Sequence, residues 1–316
     1  MPPQRILLDT DMGSDVDDAL CLALALAAPE LELVAVTCVG RESRLRARIA
    51  SRLLELAGRH VPVYAGCRVP LLGGSGYNWF GHEGLGILEP GVDPAIERAH
   101  AADALLELSQ AEPGLEIVAV GPLTNLALAL AKDPDFAGRV GRLTVMGGHL
   151  ACVEYRGHVF PFGVDYNLCS DPHASLVVLR SGIPTRLVTA DVTLRSWLCE
   201  TDVLELEKSG APLQTALARA IRIWTPVQRR LLDPPGAPPA DNAAFLHDPL
   251  TLACAYDESF CGFETLEIEP AIFDGVFRTR VCAEPVPGSF PLRCATSVDA
   301  AAIRAHFMAR VGALGR

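Results

Sequence analysis

A short apolar run that leads straight into a group of carboxylates is the feature that most limits how this chain can fold. Residues 6–8 are Ile-Leu-Leu, and residues 9–20 read Asp-Thr-Asp-Met-Gly-Ser-Asp-Val-Asp-Asp-Ala-Leu. The pattern predicts a buried strand at 6–9 and a helix that begins near Asp17. Residues 9–18, the Asp loop, carry five carboxylates, which repel one another unless their pKa values rise or a hard divalent cation neutralises them. The Asp loop therefore predicts a metal site at the carboxyl end of a first strand, where open α/β sheets bind their ligands.

Helix capping is the ordinary alternative for part of this loop. Aspartate is a good N-cap, and acidic side chains suit the first turn of a helix. Capping accounts for Asp17 and Asp18, and it could extend to Asp15. It leaves Asp9 and Asp11 without an explanation.

Two metal-site families can be tested against the spacing. An EF-hand loop needs Gly at its sixth position and Glu at its twelfth, but counting from Asp9 these positions hold Ser14 and Leu20, so the EF-hand fails. A phosphatase of the haloacid-dehalogenase type also starts with a strand and Asp-x-Asp, with Asp9 as its nucleophile. That type needs a later lysine near the phosphate, and the two lysines, Lys132 and Lys208, have no such setting.

Composition narrows the class of protein. The chain has 316 residues, of which half are hydrophobic, and a net charge of −11 with a pI near 5.2. This balance favours a globular α/β protein and argues against a nucleic-acid-binding surface. No apolar run is long enough for a membrane span, and residues 1–5 lack signal-peptide architecture, so we expect a cytoplasmic protein with no membrane partner. The ten cysteines include no Cys-x-x-Cys pair, which argues against zinc and favours free thiols in a reducing compartment.

Strand-like and helix-like segments alternate along most of the chain. This alternation predicts one α/β domain, residues 1–316, with a largely parallel, Rossmann-like central sheet flanked by helices. After a late helix, a few antiparallel strands with a turn at Asp274-Gly275 are expected near the C-terminus. Two long loops, 71–88 and 149–167, are expected to rim the same crevice as the Asp loop. The predicted strands are 6–9, 31–39, 116–120, 143–146 and 185–189, and the predicted helices are 17–28, 42–57, 98–110, 123–132, 171–181, 246–256 and 298–310.

Four later motifs follow the Asp loop in order. Val120 precedes Gly-Pro-Leu-Thr-Asn-Leu-Ala, Met-Gly-Gly stands at 146–148, Asp-Tyr-Asn at 165–167, and His-Asp-Pro at 247–249. Taken singly, each could be a helix start, a turn or a cap. Taken together and in this order, they resemble the inosine-uridine-preferring nucleoside hydrolase family over residues from about 5 to about 310.

The resemblance implies hydrolysis of the N-glycosidic bond of a ribonucleoside, with Ca²⁺ as cofactor. By motif, Asp11, Asp18, Asp248 and the main-chain carbonyl of Val120 are the implied calcium ligands, and hard oxygen donors are what Ca²⁺ favours. Asp11 is also implied as the general base toward the attacking water. His247 is implied to help the base leave. A homodimer or homotetramer is implied as well.

The substrate pocket follows from the same resemblance. Asp17, Met146 and Asn167 match positions that contact ribose, and Asp165 stands where the family has a glutamate in its sugar pocket. His82 lies in a family-like His-x-Gly segment and is a candidate pocket residue, although a histidine in a loop is more often solvated.

Three departures leave questions about this pocket open. Two extra residues precede the pair Asp17-Asp18, so Asp15 could be a ligand instead of one of the pair. The family's asparagine within 149–167 has no clear counterpart here. Arg41 stands where the family commonly has an asparagine that touches ribose. Arg41 is either a solvated arginine in a run with residues 44, 46 and 48, or a cation beside the sugar that favours a substrate with an anionic group.

Other questions stay open at the level of sequence. Tyr77 and Trp79 could pack under their loop or stack on a base, whereas Trp224 lies in an amphipathic helix and is expected in the core. The base preference is not determined. The rival functions are a non-catalytic nucleoside- or sugar-binding protein on the same fold, and a metal-dependent phosphatase that uses Asp9.

Overall fold

A nine-stranded sheet runs through the centre of the protein, as a computed structural model shows for residues 2–73, 77–163, 165–234 and 240–315. The two long loops predicted at 71–88 and 149–167 fall partly outside these described residues. The strands are β1 (Gln4–Thr10), β2 (Leu31–Cys38), β3 (Val63–Ala65), β4 (Glu116–Ala119), β5 (Arg142–Met146), β6 (Val153–Tyr155), β7 (His158–Phe160), β8 (Thr185–Val188), β9 (Trp197–Cys199), β10 (Asn242–Phe245), β11 (Cys261–Phe273), β12 (Val276–Cys282) and β13 (Phe290–Val298).

The strand order in the large sheet is β12-β11-β13-β8-β5-β4-β1-β2-β3. All pairs from β13 through β8 to β3 are parallel, and only β11 with β12 and β11 with β13 are antiparallel. The predicted fold class is therefore confirmed: a single α/β domain with a mostly parallel central sheet and antiparallel strands near the C-terminus. The turn predicted at Asp274-Gly275 joins β11 to β12.

Helices cover both faces of the sheet. They are α1 (Asp17–Ala27), α2 (Ser43–Leu56), α3 (Ala101–Ala111), α4 (Thr124–Lys132), α5 (Phe136–Arg139), α6 (Tyr166–Ser170), α7 (Pro172–Leu179), α8 (Ala190–Thr193), α9 (Glu200–Ser209), α10 (Pro212–Leu232), α11 (His247–Tyr256) and α12 (Ala300–Ala313). No helix among the described residues is long and apolar enough to cross a membrane.

The hydrophobic core has two layers, one on each side of the sheet. Successive side chains of a strand point to opposite faces, and β1 shows this directly. Ile6 and Leu8 pack in the layer with α1, α2, α10, α11 and α12, whereas Leu7 packs in the layer with α3, α4 and α7. Helix α1 is apolar on nearly every side because it lies between the sheet and other helices.

Several elements were not predicted from the sequence, and most of them are short. Strands β3, β9 and β10 have only three or four residues each, too few for an alternating pattern to stand out. The segment 149–167 was expected to be a loop, but it contains the hairpin formed by β6 and β7. The helix expected at 98–110 begins at Ala101, because the His100 ring accepts a hydrogen bond from the Ala102 amide and caps it.

Candidate active site

A cavity of about 640 Å³, the main cavity, opens at the carboxyl ends of β1, β4, β5 and β8. It is the crevice that a parallel sheet offers to a ligand. Most of the predicted site residues line it, whereas Arg41 and His82 do not. The predicted residues that line it are Asp11, Asp17, Asp18, Val120, Met146, Asp165, Asn167, His247 and Asp248.

Asp9 is the one carboxylate of the Asp loop that does not line the main cavity. It is fully buried, and its Oδ1 accepts hydrogen bonds from the Thr37 hydroxyl at 2.6 Å and the Asn125 amide at 2.8 Å. Burial raises the pKa of Asp9 to about 7. A carboxylate enclosed in this way has no path to a substrate, so the structure does not support a phosphatase that uses Asp9.

Three other carboxylates form a compact acidic cluster. Asp17 and Asp18 open helix α1, Asp248 lies in the first turn of α11, and each offers an oxygen within 4.8 Å of the other two. Burial raises the pKa of all three well above the ordinary value, and repulsion between neighbouring aspartates of the site raises them further. Buried oxygens with this much uncompensated charge fit a hard divalent cation.

Asp11 and the Val120 carbonyl stand beside this cluster. Asp11 and Asp18 line the same cavity, and the negative charge of Asp11 contributes to the raised pKa of Asp18. The backbone at position 121 can lie close to Asp11 because this residue is glycine. A Cβ there would lie 2.8 Å from both the amide nitrogen and Oδ1 of Asp11. The Asn167 amide donates to the Val120 carbonyl at 2.8 Å, and this carbonyl keeps a second lone pair for another partner.

A buried arginine holds the Asp loop in shape. Arg46 has no exposed surface, and its Nη1 donates to the main-chain carbonyls of Asp11 and, at 3.0 Å, Met12. Its Nη2 donates to the Ser14 hydroxyl at 2.9 Å, and its Nε donates to the Arg41 carbonyl at 2.8 Å. The guanidinium thus fixes the loop through hydrogen bonds and places a positive charge near Asp11 and Asp18, where it lowers their pKa values.

His247 occupies the other wall of the cavity, at the start of α11. Its ring stacks on Phe245 with centroids 5.0 Å apart, and its Nδ1 is 2.6 Å from the Thr193 hydroxyl. Burial, with no carboxylate to offset it, lowers the pKa of His247 to about 4. The imidazole is therefore neutral at neutral pH, and with Nδ1 engaged its Nε2 is the nitrogen left for a ligand.

The sugar-pocket motif is built at the start of α6. Asp165 caps this helix, since its Oδ1 accepts from the Leu168 amide at 2.8 Å. The Asn167 amide also donates to the Met146 carbonyl at 3.1 Å and so ties the motif to the end of β5. Burial raises the pKa of Asp165 to about 6.

Comparison with known proteins decides which family this arrangement belongs to. The profile of the inosine-uridine preferring nucleoside hydrolase family matches residues 6–304, nearly the whole chain. The chain belongs to this family. The resemblance inferred from the motifs is thereby confirmed, and with it an enzyme class, since the family's ribonucleoside hydrolases are N-glycosidases.

Individual relatives of this nucleoside hydrolase show the same likeness. The pyrimidine-specific ribonucleoside hydrolase RihA of Klebsiella pneumoniae is 31% identical over 258 residues, which cover 78% of each chain. A solved plant nucleoside hydrolase, PpNRh1, is 29% identical with a TM-score of 0.85, covering 99% of this chain and 100% of its own. The solved purine-preferring ribonucleoside hydrolase of Gardnerella vaginalis is 25% identical with a TM-score of 0.83, covering 98% of this chain and 99% of its own.

Asp17 and Asp15 are the remaining carboxylates of the Asp loop. Asp17, which was expected on the ribose, has its carboxylate in the acidic cluster with Asp18 and Asp248, and its contact with ribose stays a prediction. Asp15 lines the main cavity, and its Oδ1 accepts a hydrogen bond from the Val16 amide at 2.5 Å. Burial raises the pKa of Asp15 to about 7, and Asp15 is not one of the three clustered groups.

Arg41 does not line the main cavity. It is exposed, and it is the solvated arginine of the two alternatives. The expectation that residue 46 belongs to the same solvated run was wrong, because Arg46 is one of the largest fully buried side chains. The i, i+3 and i+4 periodicity of α2 offered a signal for this, since position 46 lies on the same face as the buried Ile49 and Ala50.

The aromatic residues of segment 77–88 fall into two groups: those that pack behind the wall of the main cavity and those that line it. His82 lies behind the wall, where its Nε2 is 2.9 Å from the Ser14 carbonyl and its ring stacks on Phe80. Tyr77 packs under the segment and contacts the Thr124 hydroxyl at 2.5 Å, and Trp79 lies against the Arg46 guanidinium. Phe80 lines the main cavity together with Trp224, which also packs in the hydrophobic core as expected.

We predict that Arg46→Met will weaken both the fold and the site, because it leaves several buried carbonyl and hydroxyl oxygens without a donor. The expected loss is on the order of 2–4 kcal/mol in the free energy of unfolding, together with a clear loss of metal affinity. Urea denaturation and calorimetric titration with Ca²⁺ measure the two effects. The exposed neighbour provides the control, since Arg44→Met should change stability by no more than about 0.5 kcal/mol. Equal effects of the two substitutions would contradict the role given to Arg46.

Proposed function

We propose that this protein is a Ca²⁺-dependent ribonucleoside hydrolase that releases ribose and a free base. Membership of the family supports the reaction. The observation that carries the mechanism is the acidic cluster of Asp17, Asp18 and Asp248, which lines the same cavity as Asp11 and His247.

The donor set suits calcium better than zinc or copper, because it consists of carboxylates and carbonyls without a clustered cysteine or histidine among the described residues. Asp18 and Asp248, with Asp11 and the Val120 carbonyl, are the proposed ligands, and Asp17 lies close enough to join them. When bound, Ca²⁺ would neutralise the carboxylates and lower the pKa of water in the cavity.

Asp11 is the proposed general base. Burial raises its pKa to about 6, with the Arg46 charge acting in the opposite direction, so the carboxylate is ionised at neutral pH. An ionised carboxylate at this position can accept a proton from the water that attacks the anomeric carbon.

The carboxylates of the site have a second effect on the reaction. The ribose becomes oxocarbenium-like as the bond to the base breaks, as in glycoside hydrolysis generally. Fixed negative charges in a water-poor cavity stabilise such a positive charge. Asp11 and Asp17, both of which line the cavity, are the proposed groups.

His247 is proposed to assist the leaving base as a neutral imidazole. In the tautomer in which Nδ1 accepts from the Thr193 hydroxyl, the Nε2–H group can donate a hydrogen bond to the nitrogen on which negative charge develops, and this is the tautomer that we propose. Because the pKa of His247 is about 4, its imidazole is uncharged at neutral pH before a substrate binds. Phe80 and Trp224 would form the apolar wall beside the base.

Some expectations about the whole protein are untested. A homodimer or homotetramer and a role in nucleoside salvage, which the resemblance implies, and a cytoplasmic location, which the sequence pattern suggests, stay predictions. The relatives named above include a pyrimidine-specific and a purine-preferring enzyme, so the substrate panel has to contain both kinds of base. A non-catalytic binding protein would bind ribosides but release no base from any of them.

We predict that chelation will abolish hydrolysis of every ribonucleoside in such a panel and will lower the melting temperature. A cation that binds only the native state stabilises it by about 2.7 kcal/mol at a hundredfold excess over its dissociation constant. Reducing-sugar release and thermal unfolding, each with chelator and after Ca²⁺ is restored, are the measurements. Full activity in demetallated protein would rule out the calcium mechanism, whereas no base release in any sample would favour the binding protein.

We predict that the stabilisation by Ca²⁺ grows as pH rises through the range between about 6 and about 7, where Asp11 and Asp15 titrate in the metal-free protein. These folded-state pKa values lie above the unfolded ones, so the metal-free fold holds extra protons and loses stability as pH rises. Cation binding needs the ionised carboxylates and reverses this trend. The measurement is the difference in melting temperature with and without Ca²⁺ across that range. A difference that does not change with pH would show that these protons are not linked to the metal.

We predict that two substitutions will separate the base from the leaving-group residue. Asp11→Asn should cost at least about 10²–10⁴-fold in kcat on all substrates. His247→Ala should cost a similar factor on natural nucleosides but less than about tenfold on a nitrophenyl riboside, whose leaving group needs no help. His173→Ala, at an exposed position on α7, is the control. Equal losses on both kinds of substrate would remove His247 from the leaving-group role.

A further inference from the structure

One side chain that lines the main cavity is positively charged, whereas the other charged side chains of its lining are aspartates. Arg278, on β12, is the one arginine or lysine among the described residues that line this cavity. Its guanidinium makes a single long contact of 3.5 Å, with the Gly163 carbonyl, and forms no ion pair with any carboxylate in the described part of the chain. Arg280, two residues along the same strand, pairs instead with Glu269.

The position of Arg278 separates it from the acidic cluster. Strand β12 is the edge strand of the sheet, and five strands lie between it and β1, which carries the Asp loop. Arg278 therefore enters the cavity from the side opposite to Asp17 and Asp18. Two hydrogen bonds tie this side together: the His149 amide donates to the Thr279 hydroxyl at 3.1 Å, and the Gly163 amide donates to the His149 carbonyl at 2.7 Å.

The sugar-pocket carboxylate, Asp165, already accepts hydrogen bonds from main-chain amides. Asp165, two residues after Gly163, accepts from the Leu168 amide at 2.8 Å and also from the Gly148 amide. A side chain used as a helix cap has less freedom to accept a hydrogen bond from a ribose hydroxyl. Two other side chains that line the cavity, Arg278 and His149, can donate hydrogen bonds.

We propose that this end of the main cavity binds an anionic group on C5′ of the ribose, so that the preferred substrates are ribonucleosides with a 5′-phosphate or a 5′-carboxylate. A guanidinium binds either group through two parallel hydrogen bonds, which strengthens the contact where no protein carboxylate competes. The inference rests on the proposed function, and on the ribose lying between Asp165 and the acidic cluster.

The reaction on such a substrate is the same hydrolysis. The C1′–N bond breaks and its electron pair leaves with the base, while a water oxygen forms the new bond to C1′. One proton of the water passes to Asp11, and the base gains a proton in turn. The products of a ribonucleoside 5′-monophosphate are ribose 5-phosphate and the free base, and the phosphate ester is untouched.

The kinetic test compares uridine and inosine with their 5′-monophosphates and 5′-carboxylates, with Ca²⁺ held in excess. We expect the wild type to have at least about a tenfold higher kcat/KM on one anionic series than on the plain nucleosides. In Arg278→Gln the ratio of the anionic to the plain substrate should fall by about 10- to 100-fold. Arg278→Lys should keep part of the ratio, and the matched control Arg280→Gln should keep all of it.

A binding measurement makes the result independent of turnover. Titration of the protein with ribose 5-phosphate and with ribose should show tighter binding of the phosphate, and Arg278→Gln should remove that difference. Thermal unfolding checks that each variant is folded. Which anionic series is preferred identifies the group as phosphate or carboxylate.

The outcomes separate this inference from the proposed function. Cleavage of plain nucleosides without any preference for an anionic series would overturn the inference and leave the hydrolase intact. Base release from none of the substrates, with ribose 5-phosphate still bound through Arg278, would support the anion site and overturn the hydrolase. A ratio that Arg278→Gln and Arg280→Gln leave equally unchanged would also overturn the inference.

Discussion

Repulsion between buried carboxylates is the constraint on which the rest of this structure depends. Asp17, Asp18 and Asp248 hold oxygens within 4.8 Å of one another, and all three side chains are almost fully buried. Such a cluster opposes folding unless its members take up protons or share a cation. The fold tolerates it because α1 and α11 both begin here, and the N-terminal ends of helices favour negative charge.

The polar groups around the cluster form a framework that leaves little freedom to the Asp loop. Arg46 binds the loop from the side of α2, and the Thr10 hydroxyl donates to Asp18 from the end of β1. Asn125 joins Asp9 to the chain after β3 by donating to its carboxylate and accepting from the Cys67 amide at 2.9 Å. The carboxylates are thus held in place by the protein itself, so that little reorganisation is needed when a cation or substrate binds.

Much of this could be predicted from the sequence, and the reason differs from one part to another. Strands such as β1 and β2 contain clear apolar runs, and the Asp loop stands out because five carboxylates follow the first of these runs. Motif order then placed Asp248 and His247 in the same cavity as Asp11. These predictions succeed because the motifs carry both their chemistry and their position at the end of a strand or the start of a helix.

What the sequence did not reveal depends on long-range packing. Arg46 and Arg41 look alike in a run of arginines, yet one is fully buried and the other exposed, because only position 46 faces the Asp loop. Arg278 stands in a strand with no motif around it, and only the order of the sheet brings it to the cavity. The sequence likewise did not reveal that Asp17 lies within 4.8 Å of Asp18 and Asp248, because Asp248 comes from a distant helix.

The distance along the chain between Asp18 and Asp248 has a consequence for biosynthesis. The two halves of the acidic cluster are about 230 residues apart, and the strands that order the far side of the cavity follow later still. A nascent chain therefore exposes the Asp loop long before the partner carboxylate leaves the ribosome, and the docking of α11 adds a further negative charge to a loop that is already repulsive. Contacts this distant in sequence form late in folding. A divalent cation in the surrounding medium would then act on this docking step, by joining the Asp loop to α11.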